Sequence, residues 1–315
     1  MDTLIVITGP TAVGKTVLTI KLARHYGIPV INADSRQIYR ELKIGTAPPT
    51  DEQLQQATHY FVGTKSIDDY YNASMYEQEV LGLLEHRDWG MADSLTSRHA
   101  PIAILSGGSM MYIDAVCNGI DDIPTIRDDI REEVKRRYQQ EGLEALCEEL
   151  RRLDPEHYAI VDRQNQRRVI HALEICYQTG HTYTSFRTQQ RKPRPFRTIK
   201  IGLNRQREDI YNRINARVDQ MMGDGLLDEV TSLYDKRSVN ALNTVGYKEL
   251  FDYIDGRWPL SEAVERIKGN TRRYARKQLT WFKRDTEMKW FHPDQEQDIL
   301  NYIEQEITNY HSQHE

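Results

Sequence analysis

Residues 3–16, TLIVITGPTAVGKT, decide the fold. Thr3 to Thr8 is an unbroken apolar run with β-branched residues, and Lys15 to His25 has helical spacing. Between them lies a glycine turn, so strand, loop and helix follow in the order that GxxxxGK[ST] requires. In such a loop the glycines let backbone N–H groups wrap a phosphate at the positive end of a helix. Gly9, Pro10, Thr11, Ala12, Val13, Gly14, Lys15 and Thr16 are therefore the candidate diphosphate-binding residues. Lys15 supplies a point charge, and Thr16 a hydroxyl ligand for Mg2+.

Working outward, Pro29–Ala33 (PVINA) and Pro101–Leu105 (PIAIL) read as two more short apolar strands. Unalternated apolar strands separated by helices predict a parallel sheet covered on both faces. From about Ile126 to Tyr177 the texture changes to charged helices. Ile130, Val134 and Tyr138 share one helical face there, and Val169, Ala172, Leu173 and Cys176 another. Thr179-Gly180 reads as a glycine C-cap, and Lys192 to Pro195 as a proline-broken basic connector. Thr198–Leu203 then returns as a strand, followed by long amphipathic helices to Arg284 and a polar, peripheral tail. The expected class is α/β: a P-loop NTPase-like core with a parallel sheet flanked by helices, plus an all-helical insertion domain. Its parts would be residues 1–123 and 196–315 for the core and 124–195 for the insertion.

The chain has 315 residues, 39% hydrophobic and 28% charged, which is enough to bury a sizeable core and argues against disorder. No run approaches eighteen apolar residues, so a cytoplasmic protein without membrane spans is expected. The three cysteines, Cys117, Cys147 and Cys176, form no CxxC pair and read as packed thiols. A net charge of −5 argues against a nucleic-acid partner when taken as a sum, but local distribution decides. Residues 187–200 and 266–284 carry no Asp or Glu at all, so a mildly acidic chain can still hold a basic groove.

The cradle reads a diphosphate and not the group attached to it. An ATPase would end another apolar strand in a magnesium-holding Asp. Here PIAIL runs into Ser106-Gly107-Gly108, and the acidic residue after a strand is instead Asp34, following VINA. That weakens the NTPase reading and leaves open small-molecule kinases with a catalytic Asp at that place.

Further along, several segments agree in order with one family. Asp34-Ser35-Arg36-Gln37-Ile38-Tyr39 is similar to DSxQxY, and Gly107-Gly108-Ser109-Met110-Met111-Tyr112 to GGTxxY with Ser in place of Thr. Asp162, Asn165, Arg168, Ala172, Leu173, Glu174, Thr179 and Gly180 fit D..N..R...ALE....TG. Gly246-Tyr247-Lys248-Glu249 and Asn270 to Arg284 complete the series, the latter similar to NTRxYAKRQxTWFR. With the phosphate loop, these resemble the tRNA dimethylallyltransferases along most of the chain. No CxxC…H segment follows, so the resemblance is to the compact bacterial type.

The resemblance implies transfer of a dimethylallyl group from dimethylallyl diphosphate to the exocyclic amine of an adenine next to the anticodon. That amine is a poor nucleophile, so a base should take its proton as the bond forms, and Asp34 is the candidate. An Asx turn at the strand end is its plain structural alternative. Ser109 would orient the amine, and Arg207 matches a family arginine that reaches the diphosphate. The adenine must leave its stack to reach the cradle, with Gln37 placed to read its edge beside Ser35 and Arg36. Backbone contacts are expected from Arg131, Asn165, Arg167 and Arg168, and from Arg272, Arg276 and Lys283. The partners would be a tRNA anticodon stem-loop and dimethylallyl diphosphate, with the protein a monomer because no exposed heptad seam is present. Prenyl transfer to free AMP, an ATP-dependent small-molecule kinase and an RNA-binding adaptor are the competing readings.

Overall fold

The structure, a computed structural model, describes residues 2–86, 101–188 and 190–314. In chain order the first elements are β1 (Asp2–Thr8), α1 (Lys15–Tyr26), β2 (Val30–Asn32), α2 (Asp51–Leu54), β3 (His59–Tyr60), α3 (Ala73–His86), β4 (Ala103–Ser106) and α4 (Met110–Asn118). Four helices follow: α5 (Asp128–Leu153), α6 (Pro155–Ile160), α7 (Gln166–Thr179) and α8 (Tyr183–Phe186). The chain then forms β5 (Phe196–Leu203), α9 (Arg207–Gly223), α10 (Leu226–Ser232), α11 (Tyr247–Ile254), α12 (Leu260–Phe282), β6 (Lys289–Phe291) and α13 (Glu296–His314). No helix among the described residues is long and apolar enough to cross a membrane.

Residues 1–117 and 194–315 form one compact unit. Its six-stranded sheet has the order β3-β2-β4-β1-β5-β6, and every pairing is parallel. Period-two alternation along β1 divides two cores: Leu4 and Val6 join one, Ile5 and Ile7 the other, and all four are fully buried. Each such side chain contributes about 1.5–3 kcal/mol on burial, which is why the central strand reads as continuous apolar sequence. Leu18 and Leu22 of α1 cover one face, while Tyr76 and Val80 of α3 and Ile113 of α4 cover the other. The loops that follow β1, β2 and β4 thus gather at the carboxyl edge of the sheet, where α/β proteins bind ligands.

The tail expected to be peripheral is part of the core. Ile299 and Ile303 of α13 are fully buried against the β1 and α1 residues, and β6 adds an edge strand beside β5. Their spacing of four places both on one helical face, which the polar composition of the segment hides. The basic connector also contains a structural residue. The guanidinium of Arg194 is buried with Glu77 and donates to the carbonyls of Ala115 (2.6 Å) and Val116 (2.8 Å). Cys117, Cys147 and Cys176 are free thiols, the last two buried.

Residues 118–193 form the second compact unit, a purely helical one among the described residues. Val134, Leu146, Leu150, Val169 and Leu173 make its core. Its limits fall before those expected from the change in charge texture, because residues 118–122 pair with the far end of the same segment. Lys192 donates its N–H to Asn118 O (2.8 Å) and its ammonium to Asp122 (2.7 Å). Gly180 closes α7 in the left-handed conformation, with its N–H on Cys176 O at 2.9 Å.

Candidate active site

The helix α1 starts at Gly14 with no side-chain cap and no acid in its first turn. Its leading amides therefore remain available to an anion. Lys15 Nζ lies across the loop, donating to Gly9 O (2.9 Å) and Pro10 O (3.0 Å). Burial and the positive charge of Arg217 lower its pKa to about 8, against the opposing pull of Asp34. Gln278, fully buried on α12, ties two loops together. Its Oε1 accepts from Thr11 N (2.9 Å) and its Nε2 donates to Gly108 O (2.8 Å).

Asp34 follows β2, and both alternatives for it are realised at once. Its Oδ1 accepts from Arg36 N (2.9 Å) and Gln37 N (3.3 Å), closing an Asx-type turn. Among the described residues no donor reaches Oδ2, which leaves that oxygen for chemistry. Ser109 is buried against the neighbouring Ser35: its Oγ accepts from Ser35 N (2.7 Å) and donates to Ser35 Oγ (3.1 Å). The close approach of the two loops needs Gly107, where a Cβ would come within 2.1 Å of Ala33 O.

Two cavities meet at this point. One, of about 290 Å³, is lined by Gly14, Lys15, Thr16, Gln37, Ser106 and Arg213. The other, of about 570 Å³, is lined by Ser35, Arg36, Ile214, Val245, Lys248 and Lys277. Thr11, Asp34, Thr46, Ala47, Arg217 and Tyr274 line both. A carboxylate therefore stands at the junction between a phosphate cradle and a larger chamber.

Arg207 is not at the cradle. It sits exposed on the first turn of α9, with Nε on Tyr211 Oη at 2.9 Å. The residues that α9 brings to the cradle are Arg213, whose Nε donates to Ala12 O (2.7 Å), and Arg217. A difference of six residues turns a helix by some 240°, so Arg207 and Arg213 face different ways. Arg217 is accessible from the cavity, yet surrounding protein and neighbouring Arg213 pull its guanidinium below the ordinary range. No pattern in the sequence singles them out: Arg213 and Arg217 flank the buried stripe of Ile210, Ile214 and Val218 and are exposed, as ordinary surface arginines would be. Tyr274 and Gln278, which fall in the segment similar to NTRxYAKRQxTWFR, both line the cradle cavity.

The other expected contact residues divide. Gln37 lines the cradle, but its Nε2 already donates to Thr46 O (3.0 Å) and Ala47 O (2.9 Å). Arg272 and Arg276 surround Tyr211 instead of entering a cavity. Arg276 bonds Tyr211 Oη at 2.8 Å, and the Arg272 guanidinium lies 5.9 Å from the ring. Lys283 is exposed just beyond the end of α12. Within the helical unit, Arg167 and Arg168 are exposed in the first turn of α7. Asn165 is spent as that helix's cap, accepting from Arg168 N at 3.4 Å, and Arg131 is half-buried on α5. The two acid-free stretches are also partly neutralised from elsewhere. Lys200 pairs with Asp285 and Glu287, Arg266 with Glu262, and Lys268 with Asp219.

A phosphate loop at the edge of a parallel sheet, with an aspartate facing it and a second chamber behind, defines a P-loop-fold protein built to act on a diphosphate. The IPP transferase family matches residues 37–285. Over 303 residues the chain is 58% identical to tRNA dimethylallyltransferase 1 of Bacteroides thetaiotaomicron, covering 96% of each chain. The structure of a tRNA isopentenylpyrophosphate transferase from Bacillus halodurans is similar at TM-score 0.71 and 33% identity, over 100% of both chains. That of a eukaryotic dimethylallyltransferase acting on tRNA is similar at TM-score 0.72 and 26% identity, over 89% of this chain and 70% of the other. This chain belongs to the IPP transferase family, that of the tRNA dimethylallyltransferases.

Proposed function

We propose that the protein transfers the dimethylallyl group of dimethylallyl diphosphate to the N6 amine of an adenosine next to the anticodon of tRNA, releasing diphosphate. The observation that carries this reading is the position of Asp34, whose carboxylate lines both the cradle and the adjoining chamber. The donor's diphosphate occupies the cradle against the α1 amides, Lys15, Arg213 and Arg217. The adenine enters from the chamber. As the N6–carbon bond forms, the allylic carbon–oxygen bond breaks, its electron pair leaves with the diphosphate, and Asp34 Oδ2 takes the amine proton. The fixed cations face the oxygen on which charge develops. Ser109, buried behind Ser35 and lining neither cavity, would act on the amine through Ser35, which lines the chamber.

Magnesium fits these residues as a substrate-borne ion. Among the described residues no three acidic, histidine or cysteine side chains gather into a cage. One hydroxyl, that of Thr16, together with the donor's own oxygens and water is a mode magnesium accepts. When bound, the ion would shield the diphosphate charge.

Incubation with dimethylallyl diphosphate and an anticodon stem-loop, followed by mass spectrometry of the nucleosides, should give N6-dimethylallyl adenosine. Product from AMP but none from the stem-loop would refute the tRNA assignment. Because the pKa of Lys15 in the free protein is lowered to about 8, kcat/KM for the donor should be level from neutrality up to that pH. Above it, loss of the positive charge should lower kcat/KM by about tenfold per pH unit. A profile flat to pH 9.5, to choose a value roughly 1.5 units higher, would remove Lys15 from the charge balance.

The helical unit is assigned backbone contacts through Arg167 and Arg168, with Arg131 beside them. Two cations in the first turn of α7 sit at its positive end, an arrangement unfavourable by about 0.3–1 kcal/mol each until an anion arrives. Arg168→Ala should weaken stem-loop binding and reduce the slope of log K against log salt by about 0.7, with kcat unchanged. Titration at several salt concentrations reads this directly.

A further inference from the structure

The segment Gly246-Tyr247-Lys248-Glu249 has no role in the chemistry above, yet it begins a chain of contacts that ends at Gln37. Glu229 of α10 receives four donors. Oε2 accepts from Lys43 N (2.8 Å) and Ile44 N (2.8 Å), and Oε1 accepts from Gly45 N (3.0 Å) and Tyr247 Oη (2.6 Å). Gly45 lies flat on the Tyr247 ring, where a Cβ would meet ring carbon Cε2 at 2.6 Å. One carboxylate and one phenol thus hold a loop that has no regular structure of its own. The next two residues of that loop, Thr46 and Ala47, line both cavities, and Ala47 is in the left-handed region at φ 47°. Their carbonyls both accept from the Gln37 amide nitrogen, at 3.0 and 2.9 Å.

This pairing fixes the amide's orientation, since turning it over would set its oxygen against two carbonyl oxygens. With its nitrogen engaged by two carbonyls of residues that line both cavities, Gln37 offers only an acceptor, Oε1, at the end of the cradle that opens to the chamber. An acceptor suits an exocyclic amine, as on adenine, and repels the carbonyl that guanine carries at the same ring position.

We infer that Glu229 and Tyr247 are positioning residues for acceptor choice, setting Gln37 as an acceptor-only reader through loop 43–47. The inference rests on the proposed adenosine acceptor, so its test does not depend on turnover. Fluorescence anisotropy of labelled stem-loops with adenosine or guanosine at the acceptor position gives a Kd ratio. Glu229→Ala should reduce wild-type preference for adenosine about tenfold, as expected when a site built to hydrogen-bond loses its geometry. Tyr247→Phe keeps the ring under Gly45 and should have a smaller effect in the same direction. KM for dimethylallyl diphosphate, measured on the same samples, should stay within about twofold, since Lys15, Arg213 and Arg217 do not contact Glu229 or Tyr247. Amide hydrogen exchange at 43–45 should quicken without global loss of protection. A Kd ratio unchanged in both folded variants, or a wild type that binds both loops equally, overturns the inference. A wild type that discriminates yet forms no prenylated product overturns the proposed function alone.

Discussion

Asp34→Asn should lower kcat by about 10²–10⁴, the range for loss of a general base, while stem-loop affinity stays within twofold. The substitution is informative because of how the carboxylate is divided. Oδ1 supports the turn by accepting from Arg36 and Gln37, and an asparagine oxygen can do the same. Only Oδ2, which no described donor reaches, becomes an amide nitrogen unable to take a proton. Asp34→Ala removes both functions and would confuse a disordered turn with a missing base. Single-turnover measurement with saturating donor separates chemistry from product release. Turnover within threefold of wild type for Asp34→Asn would end the assignment of Asp34 as base.

Arg217→Ala should reduce kcat/KM for the donor by about 10²–10³, the cost of losing one fixed donor to developing charge. Arg213 and Arg217 stand one turn apart, and no carboxylate among the described residues lies within ion-pair distance of either. Two like charges at that spacing oppose each other, and Arg217, whose pKa is lowered chiefly by the protein around it, is lowered further by Arg213. The free protein therefore gains nothing from Arg217 that the diphosphate does not later supply. Thermal unfolding of the ligand-free variant should begin no earlier than that of wild type, whereas stabilisation by added diphosphate should shrink. Arg207→Ala, one and a half turns or more away and paired with Tyr211, should leave donor kcat/KM within about threefold. If Arg207→Ala is the more damaging substitution, the arginine assignment reverses.

Much of the core was legible in residues 3–16 and in the two apolar strands after them, because a strand buried on both faces must be apolar throughout. The sequence could not disclose β3 and β6, of two and three residues, since so short a strand shows no period and sits at an edge. It also concealed α13, whose two fully buried isoleucines are outnumbered by polar neighbours.

The site divides along the same line. Sequence pointed to the phosphate loop and Asp34, because each lies in a short local motif directly after a strand, and to Ser109, which the fold buries against Ser35 outside both cavities. It also tied them to one family through the order of several such motifs. Only the tertiary structure decided which arginine faces the cradle, since that is set by the rotation of α9 against the sheet and not by nearness to a motif. Only it showed that Gln37 has spent its donors on Thr46 and Ala47, and that Glu229, 192 positions further on, holds the loop on which that depends. Those contacts join residues far apart in the chain through backbone N–H and C=O groups, which every residue but proline carries and no side-chain pattern reveals.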